Sequence, residues 1–324
     1  MHRYIVMFCL AFLTFIAQAS PADIKQLLND KKYAEAEKQL KAQLQANPKD
    51  DIALLGLGQI PVLSGDSKHL AESITYLEKC IEINPNSSAC HLWLGNTYGT
   101  MVQNSGMLTA AKYASKIKAE FARAVELDPQ SYEARDGLNN FYLQAPGIVG
   151  GSISKAKANT EEFAKLQPNL GHLLRASVLI ADDKFEQAQA ELLLTKAGDE
   201  LDTLLSIWLQ LDLAYLNDNQ ADKSAALFQR RLTQYPNQAS FHLGLGKSLL
   251  EQSKIDPAIQ SLEQAVHLDK NLGGQYRLGI AYQRKGDKQK AIANFEQFLA
   301  LKINKNSKAV DEANTRLNEL KKAS

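Results

Sequence analysis

The chain has 324 residues, with 37 lysines and arginines against 36 acids and a formal charge of +1. Binding a nucleic-acid backbone needs a basic surface that displaces counterions, so this balance excludes nucleic acid as an expected partner, and a polybasic membrane patch with it. Hydrophobic residues at 45% and charged residues at 23% are the composition of a folded chain and exclude a disordered one.

Residues 1–19 read as a secretory signal. His2 and Arg3 give a short positive start, Tyr4 to Ile16 is almost wholly apolar, and Ala17-Gln18-Ala19 supplies small residues where a signal peptidase reads. The apolar run of about 13 residues falls short of the roughly 20 that cross a bilayer as a helix, although an uncleaved anchor is the alternative reading. Cys9 lies inside that run without small residues before it, which argues against lipid attachment. Cleavage after Ala19 predicts an exported, periplasmic or secreted chain with no stable membrane insertion. Losing Arg3 leaves basic and acidic residues balanced at 36 each.

From residue 22 onward, apolar residues recur at helical spacing in paired segments. The first pair, roughly 22–47, opens with Ile24, Leu27 and Leu28 and continues through Tyr33, Ala36, Leu40 and Leu44. The second, about 51–84, places Gly56, Gly58 and Pro61 in its first helix, where helix propensity is poor; a bent or shortened helix is expected. The third, about 88–128, contains His91-x2-Leu94-Gly95-x2-Tyr98, and an insertion near Gly99–Ala111 predicts longer helices or an added loop. The fourth, about 132–167, includes Ala145-Pro146-Gly147-Ile148-Val149-Gly150-Gly151-Ser152. The fifth, about 170–198, carries Phe185, Ala188 and Leu192. The sixth and seventh, about 201–235 and 239–270, are the most regular, with Trp208-x2-Leu211-x3-Tyr215, Ser224-x3-Phe228 and Pro236. The eighth, about 272–301, reads Gln275-x2-Leu278-Gly279-x2-Tyr282 and Ala291-x3-Phe295. Residues 307–322 form a last helix rich in Lys, Glu and Asn. Pro48, Pro85, Pro129, Pro168 and Pro236 lie 37, 44, 39 and 68 residues apart, so the last gap is two units of 34 and the first three carry insertions. Proline is expected to close each second helix, because it cannot continue the hydrogen-bond ladder.

This pattern resembles the tetratricopeptide repeat across nearly all of residues 22–301. The resemblance implies an all-α fold, a right-handed solenoid of antiparallel helix pairs with about seven to eight repeats. The expected organisation is a signal peptide at 1–19, a solenoid at 20–304 and a capping helix at 305–324. The runs His91-Leu92-Trp93-Leu94-Gly95, Phe121-x2-Ala124-Val125-Glu126-Leu127-Asp128-Pro129 and Phe141-Tyr142-Leu143-x-Ala145-Pro146-Gly147-Ile148-Val149-Gly150-Gly151 also resemble a group of exported bacterial repeat proteins. That group implies a bacterial envelope location and brings no activity with it.

In the repeat family, ligands lie in the concave groove lined by the first helices. Phase puts Asn96 and Asn140 at one groove position in consecutive repeats, with Lys247 at the same position later, Arg284 one turn on, and Arg175 and Tyr276 also facing the groove. Asn can donate and accept at once, which suits an extended peptide backbone; Tyr276 could stack on a ligand. The alternative is that these are solvated polar helix faces. A carboxylate clamp is not assigned, because Lys247 and Arg284 lie far along the chain from Asn96.

Pro146, Gly147, Gly150 and Gly151 mark a possible contact loop or simply a tight turn. A phosphate loop needs Lys and Ser/Thr directly after its last glycine and a preceding strand; here Ser152 follows, Lys155 comes later and a helix precedes. His69, His91, His172, His242 and His267 form no metal pair at helical spacing, and neither His-Glu-x-x-His nor Gly-x-Ser-x-Gly occurs. No catalytic residue, metal or cofactor is assigned, and the chain is not expected to be an enzyme. Cys80 and Cys90 fall in the last turn of one repeat and the first turn of the next, and either form a disulfide or remain two buried thiols. The expected function is a non-enzymatic exported scaffold binding a protein or peptide in its groove, in envelope assembly or export. The alternatives are an envelope glycan- or lipid-binding module, or an enzyme subunit with a site at 146–151.

Overall fold

A computed structural model of the protein describes residues 21–103, 105–196, 198, 200–301 and 308–322. These hold seventeen α-helices and two single-turn 3-10 segments, with no strand among the described residues. The apolar segment read as a signal lies outside the described residues. The chain divides into two compact units, one ending at Leu166 and the other beginning at Gln167.

The first unit comprises α1 (Pro21–Asn29), α2 (Tyr33–Ala46), α3 (Asp51–Ser64), α4 (Leu70–Ile83), α5 (Ser88–Gln103), α6 (Met107–Leu127), α7 (Tyr132–Gln144) and α8 (Ile153–Leu166). Each helix packs on the next, and the first helices α3, α5 and α7 also touch one another in order. This is the antiparallel-pair arrangement that the repeat spacing predicts. Its core joins residues that the repeat pattern picks out, Ala36, Leu40, Leu94, Tyr98, Phe121 and Phe141, to Ala53, Leu57, Ile60, Leu77 and Leu138.

The expected shortening of α3 does not occur. The helix runs for 14 residues, capped by Asp50, whose carboxylate accepts from the Ala53 N–H at 2.9 Å. Its glycines answer to packing. A Cβ on Gly56 would stand 2.8 Å from Leu40 of the preceding repeat, and one on Gly58 would stand 2.5 Å from Leu77 of its own. The lost propensity is offset by burying two leucines against bare backbone. The insertion in the third pair lengthens helices: α5 has 16 residues and α6 has 21.

The second unit comprises α9 (Pro168–Ala181), α10 (Phe185–Leu194), α11 (Leu201–Asn217), α12 (Ala221–Gln234), α13 (Ala239–Glu251), α14 (Ile255–Leu268), α15 (Gly274–Lys285), α16 (Lys288–Ala300) and α17 (Lys308–Lys322). The glycine rule repeats. Gly244 faces Phe228 of the preceding repeat, while Gly246 and Gly279 face Leu262 and Phe295 of their own. α17 rests on α16 with Val310, Ala313 and Leu317 buried. Proline stands two residues after α2, α4, α6, α8 and α12 as expected, and Pro168, which follows α8, also opens α9, where its missing N–H costs nothing.

Two buried hydroxyl pairs tie consecutive repeats at equivalent places. Ser73 donates to the Gly58 carbonyl and lies 3.1 Å from Thr97. Ser224 donates to the Asp212 carbonyl at 2.7 Å and lies 2.9 Å from Ser248. Each serine stands where other repeats carry alanine, and each hydroxyl is satisfied, so burial costs little.

Candidate functional site

In the first unit, the residue after each own-repeat packing position is polar: Gln59 after Gly58, Asn96 after Gly95, and Asn140 after Asn139. These amides sit on α3, α5 and α7, which are neighbours. Gln59 and Asn96 are half-buried and Asn140 is exposed. Leu55, Leu92 and Trp93 are half-buried beside them, packed on the core beneath. The result is an apolar strip bordered by groups that can both donate and accept. Gln59 escaped the sequence reading, although its place after Gly58 matches that of Asn96 after Gly95.

Asn140 donates to Asp136 at 2.9 Å. Burial pushes the Asp136 carboxyl up to about 6; the bond from Asn140 opposes this and the charge of Glu133 adds to it. Asp136 is a further groove-side residue that the sequence reading missed, because an acid in a helix ordinarily marks a solvated face.

The polar residues expected in the second unit do not converge. Lys247 follows Gly246 and is half-buried; burial, then the positive charge of Arg277, holds its ammonium below the usual lysine range. Its neighbour on α15 is therefore Arg277, whose guanidinium lies 5.2 Å from the centre of the Tyr276 ring. Arg284 points elsewhere: it donates to the Leu250 carbonyl at 2.7 Å and so ties the end of α15 to the end of α13. Tyr276 is corrected from a stacking platform to a core residue. It is 7% exposed, lies 5.2 Å ring to ring from Phe298, and its hydroxyl bonds Glu312 of α17. Arg175, on α9, is half-buried.

The Pro146–Gly151 segment is a self-bonded turn. The N–H groups of Val149 and Gly151 both donate to the Pro146 carbonyl, that of Gly150 donates to Gly147, and that of Ser152 donates to Tyr142 at 2.7 Å. Those amides have no capacity left for a phosphate. Gly150 adopts φ 109°, and a Cβ on Gly151 would overlap the Ala145 carbonyl. Ile148, at 95% exposure, is the group this turn offers outward.

Cys80 and Cys90 are joined as a disulfide, with Cα atoms 6.1 Å apart, against buried Leu54. His91, His172 and His242 are engaged in structural contacts. His91 Nδ1 meets Glu120 at 2.6 Å and His172 Nδ1 meets Glu191 at 2.6 Å. His91 and His242 also reach back six residues, to the Pro85 and Pro236 carbonyls, as Arg135 does to Pro129. No group of His, Cys, Asp or Glu among the described residues could hold a metal ion, and no described helix is long and apolar enough to cross a membrane.

One buried pair in the second unit is unsatisfied. Asp212 is 0% exposed, and neither carboxylate oxygen has a hydrogen-bond partner among the described residues. Burial pushes it up to about 8, with Arg231 opposing. The Arg231 guanidinium, 2% exposed, stacks 3.4 Å over the Trp208 ring and leaves Nε and Nη2 unbonded.

Known proteins share parts of this sequence and its fold. Residues 29–162 match the model of the plant-specific mitochondrial import receptor subunit TOM20, and residues 213–272 and 274–301 match tetratricopeptide-repeat models. No curated protein sequence matches the chain. Among solved structures, yeast Tom70 superposes with a TM-score of 0.68 at 15% identity, covering 94% of this chain and 61% of that one. A repeat protein of Thermus thermophilus matches with a TM-score of 0.45 at 16% identity, over 71% of this chain and 100% of that one. The chain thus spans less than two-thirds of the length of the Tom70 chain, and that likeness shows the fold. The match over 29–162 overturns the expectation of a bacterial periplasmic or secreted chain. That expectation rested on the composition of the first nineteen residues, which a secretory signal shares with other apolar leaders, and on the resemblance of the runs at 91–95, 121–129 and 141–151 to exported bacterial repeat proteins.

Proposed function

Because the chain is a tetratricopeptide-repeat protein, we propose that it is an interaction scaffold that receives an extended polypeptide along the first helices of its first unit. The observation carrying this reading is the amide row Gln59, Asn96 and Asn140 beside half-buried Leu55, Leu92 and Trp93. An extended backbone presents alternating donors and acceptors that such amides pair with, while its side chains cover the apolar strip. The match of residues 29–162 to a mitochondrial import receptor subunit supports a mitochondrial outer-membrane setting for this contact. No catalytic role is proposed: the glycine turn commits the N–H groups of Val149, Gly150, Gly151 and Ser152 to its own carbonyls and to Tyr142, and the buried acid at Asp212 is closed off from solvent.

Photo-crosslinking tests the reading. A benzophenone side chain at Asn96 is expected to capture polypeptide, whereas one at exposed Lys38 on α2 is not. Equal capture at both positions, or none at Asn96, overturns it.

A further inference from the structure

A cavity of about 190 Å³ opens in the first unit between α2, α3 and α4 and the turn Ser67–His69, with no lining residue from α5 or α7. A void of roughly 150 Å³ holds a benzene-sized molecule, so this one takes a side chain and not a polymer. Its floor is Leu57, Ile60 and Pro61; its rim is Glu37, Lys41, Asp66, His69, Glu72 and Tyr76. Three carboxylates therefore face one lysine and one histidine.

Each carboxylate is held in place by a neighbour. Glu37 accepts from Lys41 at 2.6 Å, Glu72 accepts from the Tyr76 hydroxyl at 2.9 Å, and Asp66 accepts from the Lys68 N–H at 3.1 Å and lies 2.7 Å from His69 Nδ1. An ionised carboxylate has lone pairs on both oxygens, so each retains capacity for another donor. Two groups on the rim register the sign of the field. The Lys41 ammonium is pushed up by its bond to Glu37 and by the nearby charges, and the Tyr76 phenol is pushed up by burial and by Glu72.

We propose that this cavity is a binding site for the guanidinium of an arginine side chain presented by a polypeptide. The site does not depend on the groove described above. The guanidinium is planar and weakly hydrated, so it tolerates the apolar floor and can lie against Tyr76 while its fork of donors reaches Glu72 and Asp66. An ammonium is a strongly hydrated point charge that loses more on entering. The carboxylates and the histidine of the rim do not form a group that could hold a metal ion. Lys41, bonded to Glu37 and in the field of Glu72, is the like charge on the rim that opposes an entering guanidinium.

Isothermal titration of the whole chain with N-acetyl-arginine N-methylamide tests the assignment. The wild type should bind saturably, with the lysine analogue at least fivefold weaker and the norleucine analogue silent. Glu72→Gln should weaken arginine binding about tenfold, and Lys41→Gln should strengthen it. Both positions are exposed, and circular dichroism checks that each variant stays folded; Asp66→Asn repeats the Glu72 arm should that variant fail to fold. The absence of saturable heat, equal binding of norleucine, or affinities that do not move in opposite directions with the two charge changes would overturn the proposal.

Discussion

Asp212 stands where Gly58, Gly95, Gly246 and Gly279 stand in other repeats, and its carboxyl is buried without a partner. Its folded-state value of about 8 is raised above the ordinary carboxylate range. The folded chain therefore holds a proton that the unfolded chain releases, and stability falls as pH climbs from about 4 toward 8. Below 8 the neutral acid offers Arg231 no countercharge, so removing it does not strand the guanidinium. Each tenfold change in an acid constant between the folded and unfolded chain is worth roughly 1.4 kcal/mol. Asp212→Ala is accordingly expected to stabilise the second unit by about 2–4 kcal/mol at pH 7, with no gain at pH 4. Thermal melts across that pH range measure it; a gain independent of pH would refute the assignment. The sequence displayed Trp208, Leu211 and Tyr215 plainly but hid Asp212, because an acid inside a helical stretch resembles a solvated position until the repeats are aligned on their glycines.

Between helices, the turn within a repeat needs one residue in the left-handed region. Gly65 and Gly286 adopt it freely, whereas Lys31, Asp183, Asn219 and Ser253 adopt φ values of 55–60° with a side chain attached. An L residue there costs roughly 1 kcal/mol, least for Asn and Asp. Ser253→Gly should therefore raise stability by about 0.5–1 kcal/mol, and Asn219→Gly by less, as denaturant midpoints would report. Gly244→Ala tests the opposite limit. Its Cβ would enter the ring of Phe228, which is fully buried, and should cost about 1–3 kcal/mol by overpacking. Helix pairing was readable from sequence because Ala36 with Leu40, and Ala291 with Phe295, recur four apart and are all buried. Length within a pair was less readable: α3 looked too poor in helix formers, and only the leucines filling the space beside Gly56 and Gly58 explain its persistence.

At the scale of the whole molecule, the candidate site was legible where it depends on phase and illegible where it depends on contacts distant in sequence. Phase placed Asn96 and Asn140 on adjoining first helices and, extended by one repeat, would have included Gln59. It failed at Tyr276, because Phe298 and Glu312 cover that ring from later helices. It failed at Arg284, because the Leu250 carbonyl claims the guanidinium. The compartment was misread from the leader and from the resemblance of internal runs to exported bacterial repeat proteins, and the match over residues 29–162 redirects it. What remains is a repeat protein whose first unit offers an amide-lined apolar strip. The affinity of the polypeptide crosslinked at Asn96 tests that most directly, measured for the wild type and for a Trp93→Ala/Asn96→Ala variant of unchanged helicity. The account predicts at least a tenfold loss, about 1.4 kcal/mol; an affinity equal to that of the wild type would contradict it.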